Sequence, residues 1–463
     1  MTVLYLNPIF ESASNHRYDT GDYRKVDPIL GTNADFKKLC AAAADCGIRI
    51  VLDGVFAHTG ADSRYFNRFR HYPGCGAYNS HSSVYARWYS FAHYPDDYKC
   101  WWDFKDLPAV NAANPDWRKY MITGERSIVK TWLRDGASGW RLDVADELPD
   151  DVLRGMRSAA KETDPDSVLL GEVWEDAVTK VSYGERRQYA LGDALDSVMN
   201  YPLRDGLVAF LTGRSTARAL ADLLLSQRLN YPQPLYYALM NLTASHDVAR
   251  TRSALALDFD PRSRTRAELA ALEITDAMAA RGAQLQVLAA AVQFWLPGIP
   301  SIYYGDETGM QGLCDPFNRA PLQMCDTQML QWYAQLTALR HAHPALTRGE
   351  VAVFAPAGDV LCVLRVIADG RDAFGEEAED EALLLIVNRA AHPVRCHVEL
   401  TCPGAGLCEE TRLAFVRSEY DCAADCTDDT HIAIRDGVGA FDLPPHAAKI
   451  YRLENRHGTE TGS

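Results

Sequence analysis

The chain has 463 residues, enough for two or three domains and a large core. Its 47% hydrophobic and 10% aromatic content is that of a globular protein. With 62 acidic against 47 basic residues the net charge is −15. That argues against nucleic acid and anionic membranes as partners, whose binding needs a basic face.

Val3–Asn7 (VLYLN) is a continuous apolar run, the pattern of a strand buried on both faces. A polar loop follows over Glu11–Asp22. Asn33–Cys46 has helical periodicity and stops at Gly47, a C-terminal capping position. Ile48–Asp53 (IRIVLD) is a second buried strand, so the chain opens as strand–helix–strand. From Gly54 to about Asn111 it is aromatic and punctuated by Gly and Pro, too long for an ordinary loop, and reads as a small inserted domain. Asn114-Pro115 predicts a helix start, with the helix running to Arg134. Gly139–Val144 (GWRLDV) is the third strand, and a helix with an acidic first turn follows from Asp150 to about Glu162. Ser167–Gly171, Ala194–Met199, Tyr236–Leu242 and Ile299–Tyr304 are four more strands. Helices are expected over Ser215–Arg228, Ala267–Trp295 and Thr327–Arg340, with a charged linker at Asp258–Arg266.

Seven buried strands alternating with helices predict a parallel sheet. The absence of a P-loop or G-x-G-x-x-G favours a (β/α)8 barrel over a doubly wound sheet. Beyond Leu346 the pattern changes to short strands between Gly, Pro and Asp turns, which predicts a C-terminal antiparallel β-sandwich. The expected organisation is therefore a catalytic barrel over 1–346 with an inserted domain over 54–111, a sandwich over 347–455 and a tail over 456–463.

No apolar run reaches the ~18–20 residues of a membrane span, and no signal peptide precedes the first strand. The 12 cysteines are scattered without zinc spacing. Cys422 and Cys426 lie close together in an acidic loop, which is weak evidence of a site. A cytoplasmic protein with mostly reduced thiols is expected. The Asn241-Leu242-Thr243 sequon is discounted, because it falls in a buried strand.

In a (β/α) barrel the catalytic groups lie at the C-terminal ends of the strands. Those ends carry Asp53 with His58 five residues on, Asp143, Glu172, His246-Asp247, and Asp306-Glu307 followed by Asp315–Arg319. On a strand, residues i and i+2 share a face, so Arg141 points the same way as Asp143. Alone that is an ordinary Arg–Asp pair. With Glu172 and Asp247 at neighbouring ends, Asp143 reads as a carboxylate that Arg141 keeps ionised, and Glu172, beside Val173 and Trp174, as the one that stays protonated. One neutral acid and one charged carboxylate are what glycoside cleavage requires.

The order DGVFAH (Asp53–His58), GWRLDVADE (Gly139–Glu147), GEVW (Gly171–Trp174) and SHD (Ser245–Asp247) resembles the four sequence regions of the α-amylase family, glycoside hydrolase family 13. YLNPIFESASNHRYDTGDY and LDSVMNYPL are similar to segments of neopullulanases, cyclomaltodextrinases and maltogenic amylases. The resemblance implies Asp143 as nucleophile, Glu172 as general acid/base and Asp247 as a third carboxylate that bonds sugar hydroxyls. It implies that Arg141, His58 and His246 hold the sugar, that Tyr18 stacks under it, and that Asp315 and Arg319 bind the next sugar outward. Trp174 would stack on the leaving-group side, and Asp53 would support Arg141.

The implied activity is retaining hydrolysis of α-1,4 links in maltooligosaccharides, cyclodextrins or pullulan. The alternatives are a 4-α-glucanotransferase using the same residues and an inactive glucan-binding relative. No cofactor is expected. Ala57 stands where many amylases have an asparagine that ligates structural calcium, and Asp146-Glu147 replaces the Lys-His of enzymes acting on large starch. Met1 falls near the start of the family's second strand, so the first β/α unit is expected to be missing and the chain reads as truncated or mis-started. The partner is an α-glucan oligosaccharide; the oligomeric state is left open, a homo-oligomer included.

Overall fold

The computed structural model describes residues 1–400, 412–415, 431–435 and 437–454. The chain falls into two compact units, Met1–Met199 and Asn200–Ser463.

In the first unit five strands lie side by side in chain order: β1 (Val3–Leu6), β2 (Arg49–Gly54), β3 (Gly139–Leu142), β4 (Val168–Gly171) and β5 (Ser197–Val198). All four pairings are parallel. Helices connect them, Asn33–Asp45 before β2, Ile128–Arg134 before β3 and Asp150–Thr163 before β4. The first helix starts where Thr32 and Asp35 form a reciprocal capping box. β2, β3 and β4 are almost wholly buried, as their apolar runs require. β1 corrects the reading of a strand buried on both faces. It is an edge strand whose residues are half-exposed, and Val3 is 44% exposed. An apolar run does not reveal which strand lies at the edge.

The sequence of β3 is fixed partly by its neighbour. A Cβ on Gly139 would lie 2.3 Å from the Val168 carbonyl oxygen, so only glycine lets β4 approach there. The predicted helix from Pro115 to Arg134 is broken. Asn114 caps Pro115–Arg118 as expected, a wide π-type turn covers Lys119–Thr123, and Ser127 recaps Ile128–Arg134. The predicted polar loop over 11–22 contributes to a short antiparallel hairpin, Phe10–Ser12 with Thr20–Val26. Within 54–111 the organising feature is aromatic packing. Tyr65 lies 5.4 Å from Trp88, and Phe66 lies 4.9 Å from Tyr89 and 4.7 Å from Tyr98.

In the second unit β6 (Met240–Leu242) and β7 (Ile299–Ser301) form a parallel pair. Asn241, Leu242 and Thr243 are buried, in keeping with discounting the sequon. β7 is not the buried strand its sequence suggested, since Ile299 is 51% exposed. Helices Tyr201–Leu211, Ala217–Asn230, Asp276–Trp295 and Thr327–Ala342 enclose a core around Leu288, Trp295 and Trp332. The first of these was not predicted. The long helix predicted over 267–295 is two helices, because Thr275 caps a new start after Arg266–Ala271.

The same unit carries an antiparallel sheet of β8 (Glu350–Ala357), β9 (Val360–Ile367), β10 (Glu381–Asn388), β11 (Val394–Glu399), β12 (Arg412–Phe415), β13 (His431–Arg435), β14 (Val438–Leu443) and β15 (Ala447–Glu454). Their order is 8-9-10-15-12-13-14-11. The sequence pattern predicts strands at 351–354, 360–366, 382–387, 397–400, 431–434 and 447–453, which overlap all of these but β12 and β14. β9 is buried on both faces. Leu361 and Val363 join the helical core, while Cys362 and Leu364 pack with Val398 and Phe441 inside the sheet layers. Among the described residues eight cysteines are free. Cys422, Cys426 and the predicted tail at 456–463 lie outside the described residues.

Candidate active site

Register builds the first part of the site. Asp53 on β2 is the direct partner of Arg141 on β3, and Leu142 pairs with Gly171 on β4. Asp143 and Glu172, each one residue further on, therefore leave adjacent strand ends at the same level. Arg141 lies at the centre and is fully buried. Its Nη1 donates to Asp143 Oδ1 at 2.9 Å and to both Asp53 oxygens at 3.0 and 3.1 Å. Its Nη2 stands 2.9 Å from Glu172 Oε2, a close charge contact and not an aligned hydrogen bond. Tyr5, which shares the Asp53 face of the sheet, donates its hydroxyl to Asp53 Oδ2, as does Tyr18 at 2.9 Å.

Glu172 is held from both ends. Its Oε2 accepts the Val144 N–H at 2.7 Å, and its Oε1 accepts the Trp174 indole N–H at 3.0 Å. Val144 adopts φ +40°, ψ +65°, a left-handed conformation rare for a β-branched residue. Such strain costs on the order of 1–3 kcal/mol and persists where surrounding contacts impose it. Here it brings the N–H next to the Asp143 carboxylate onto Glu172.

The charge balance corrects one expectation. Arg141 was expected to keep Asp143 ionised, but one guanidinium serves three buried carboxylates. Burial pushes the Asp143 carboxyl well above the usual range. Arg141 pulls it down, and Glu172 and Asp53 push it further up. The sequence showed the i, i+2 partner; it did not show that Asp53 and Glu172 draw on the same cation.

His58 lies deep in the same region, with Nε2 3.0 Å from the Tyr18 carbonyl oxygen. Burial lowers its pKa from 6.5 to about 4. The sign follows directly. Between those values the unfolded chain binds the proton and the folded one does not, so folding stability falls as pH drops from 6.5 to 4. The full effect is about 3 kcal/mol. Asp306 in the second unit, raised from 3.8 to about 6 by burial, works oppositely and loses stability as pH rises through that window. His58→Gln is therefore expected to flatten the acid side of the stability curve, and urea midpoints measured from pH 7 to 4 check it. An unchanged slope would show that His58 titrates normally in the folded protein.

In the second unit His246 Nε2 lies 3.2 Å from Asp247 Oδ2, which also accepts the Tyr201 hydroxyl at 3.2 Å. Ser245 Oγ accepts the Asp247 N–H at 3.1 Å. Buried Asn318 ties this turn down, donating its amide to the carbonyls of Ser245, His246 and Val248 at 3.1, 2.9 and 2.8 Å. Asp315 and Arg319 pair with each other at 2.5 Å, and Arg266 lies 3.8 Å from Asp315.

Thus Tyr18, Asp53, His58, Arg141, Asp143, Glu172 and Trp174 gather in the first unit. His246 and Asp247 form a pair in the second, and Asp315 and Arg319 another. Sequence reasoning missed Tyr5, Tyr201 and Asn318. Tyr5 could have been found from strand parity, and Asn318 lies inside the DPFNR stretch already singled out. Among the described residues no group of three or more His, Cys, Asp or Glu side chains is placed to hold a metal ion.

Residues 1–320 match the family described as alpha amylase, catalytic domain. The chain is 36% identical over 433 residues to an amylopullulanase of Thermoanaerobacterium thermosulfurigenes, covering 87% of this chain and 22% of that protein. It is 31% identical over 402 residues to a cyclomaltodextrinase of Geobacillus thermopakistaniensis (strain MAS1), covering 84% and 59%. It thus spans between 22% and 32% of the length of the amylopullulanases that head these relatives. Among solved structures, the cyclic α-maltosyl-(1→6)-maltose hydrolase of Arthrobacter globiformis superposes with a TM-score of 0.73 at 27% identity, over 97% of this chain and 85% of that one. With its parallel strands, the carboxylates at their ends and this match over residues 1–320, the chain belongs to the α-amylase family, glycoside hydrolase family 13, and has its (β/α)-barrel type of fold.

Proposed function

We propose that the protein is a retaining hydrolase that cleaves α-1,4-glucosidic bonds in maltooligosaccharides, cyclodextrins or pullulan. The observation that carries this is the single buried guanidinium touching both Asp143 and Glu172. It supports the short carboxyl separation, ~5–5.5 Å, of retaining enzymes.

Glu172 donates its proton to the glycosidic oxygen as Asp143 attacks the anomeric carbon. The leaving sugar departs with that proton, and a covalent glycosyl–Asp143 ester remains. Glu172, now a carboxylate, takes a proton from water, which displaces Asp143 and restores both groups. This requires one proton on the pair, located on Glu172 when sugar is bound. Asp247 and His246 bond sugar hydroxyls. Arg141 and His58 position the ring over Tyr18, Trp174 meets the leaving sugar, and Asp315 and Arg319 bind further outward.

The relatives named amylopullulanase and cyclomaltodextrinase support this substrate class. The segments assigned to it are a catalytic part over 1–346, an inserted part over 54–111 and a C-terminal sandwich over 347–455. A metal ion enters no step. Ala57 offers no side-chain oxygen at the position where many amylases have an asparagine that ligates structural calcium.

The test is incubation with maltotriose, β-cyclodextrin, pullulan and starch, with proton NMR of the first product. An α-anomer is expected. A β-anomer appearing first rules out double displacement, and no turnover of any of the four rules out the reading.

A further inference from the structure

Outside the carboxylate cluster the first unit carries a run of aromatic side chains that the proposed reaction does not use. It begins at Trp101, whose ring lies 5.6 Å from that of His58. Trp101 stacks with Trp102 at 5.3 Å and 19° between planes, and with Phe104 at 5.9 Å and 24°. The run faces solvent at its outer end, where Trp102 is 70% and Phe104 58% exposed.

The segment is tied to the strand end that bears His58. The Thr59 N–H donates to the Pro108 carbonyl at 3.2 Å, and the Val110 N–H donates to the Ala57 carbonyl at 2.9 Å. Trp102 itself has φ +46° and ψ +40°, a left-handed conformation that is an outlier for a bulky aromatic residue. Its indole N–H reaches Glu147 Oε1 at 3.4 Å, and that oxygen also accepts the Tyr183 hydroxyl at 2.5 Å. Glu147 lies four residues beyond Asp143 on the turn that leaves β3. A large apolar ring is thus held open to water in a strained backbone, with its polar edge oriented by a carboxylate. Packing gives no reason for this arrangement, because burial would favour the opposite placement.

We propose that Trp102 is the floor of a second sugar-binding position, outside the carboxylate cluster, which takes one glucosyl unit of a longer α-glucan chain. Glu147 and Tyr183 act as positioning residues for the indole. The ligand class follows from the surface. A flat indole face with hydrogen-bonding groups at its edge suits the apolar face and hydroxyl rim of a pyranose. Ring contacts link Trp102 through Trp101 to His58, whose Nε2 lies 3.0 Å from the Tyr18 carbonyl oxygen. The inference rests on the α-glucan reading above.

The experiment is calorimetric titration of full-length Asp143→Asn protein, in which ligand is not consumed, with maltotriose and with maltohexaose. It is repeated after adding Trp102→Gly or Trp102→Phe. Glycine accepts the left-handed backbone without strain, so Trp102→Gly removes the ring and keeps the turn. The expected result is a fall on the order of tenfold in the ratio of maltohexaose to maltotriose affinity. Trp102→Phe should retain most of that ratio, and the melting temperature of the glycine variant should be unchanged or higher. An unchanged ratio overturns the proposal, as does a lowered melting temperature with equal loss for both sugars, which would mark a structural tryptophan. Self-association by sedimentation that Trp102→Gly abolishes, with the ratio intact, overturns it in favour of a contact between copies. If the Asp143→Asn parent binds neither sugar and the unsubstituted protein turns over no glucan, the α-glucan reading fails and this position fails with it.

Discussion

Asp143→Asn is expected to lower kcat by on the order of 10⁴-fold or more and at the same time to raise thermal stability. The first effect follows if Asp143 forms the bond to the anomeric carbon, because an amide is too weak a nucleophile to do so. The second follows from the charge balance. Asp143 is buried against Glu172 and Asp53, and its carboxyl stands well above the usual range in the folded protein. An acid raised in this way costs stability at every pH above its unfolded value of 3.8, and the cost disappears as pH falls below that value. Asparagine removes the charge and keeps the shape. The variant should therefore melt above the parent at pH 7, and the difference should close as pH approaches 4. Activity assays together with melting curves at several pH values check both halves. Lost activity with unchanged or lowered stability would mean that Arg141 fully neutralises Asp143, against the sharing seen here.

Arg141→Met is expected to destabilise the protein by about 3–5 kcal/mol at pH 7, the range for a buried ion network deprived of one partner. Methionine roughly fills the stem of arginine, so packing contributes little to the loss. What remains is Asp53, Asp143 and Glu172, buried with no cation, where the native protein has Nη1 on two of them and Nη2 on the third. Without Arg141, Asp143 loses the neighbour that lowers its carboxyl and takes up a proton more readily in the folded state. The deficit should therefore shrink as pH is lowered from 7 toward 4. Arg141→Lys restores the charge but not the fork, since one ammonium cannot address three carboxylates as a planar guanidinium does. It should fall between the two in stability. Chemical denaturation of the three proteins at pH 7 and pH 5 measures this, and a pH-independent deficit would assign the loss to packing.

The candidate site was legible in the sequence to the extent that it consists of strand ends. Asp53, Asp143 and Glu172 each follow an apolar run, and the period of two put Arg141 on the Asp143 face. Tyr5 was legible by the same parity and was passed over. Helix breaks were less legible. Ser127 and Thr275 restart helices within stretches whose apolar spacing looks continuous, and a single capping hydroxyl decides each case. β14 was missed because Gly439 and Ala440 weaken, in the sequence, the alternation that its burial shows.

By itself the sequence determined the class of fold and the family and singled out the carboxylates at the strand ends, because these depend on periodicity and on local motifs. The tertiary structure decided how charge is distributed among them. That Arg141 divides itself between Asp53, Asp143 and Glu172, and so leaves the Asp143 carboxyl raised, depends on the register of three neighbouring strands and on burial. The exposure of Trp102 depends likewise on a backbone conformation that its residue type disfavours. Through-space electrostatics and tertiary constraint have no period in the chain, so they become visible only when the strands are set side by side.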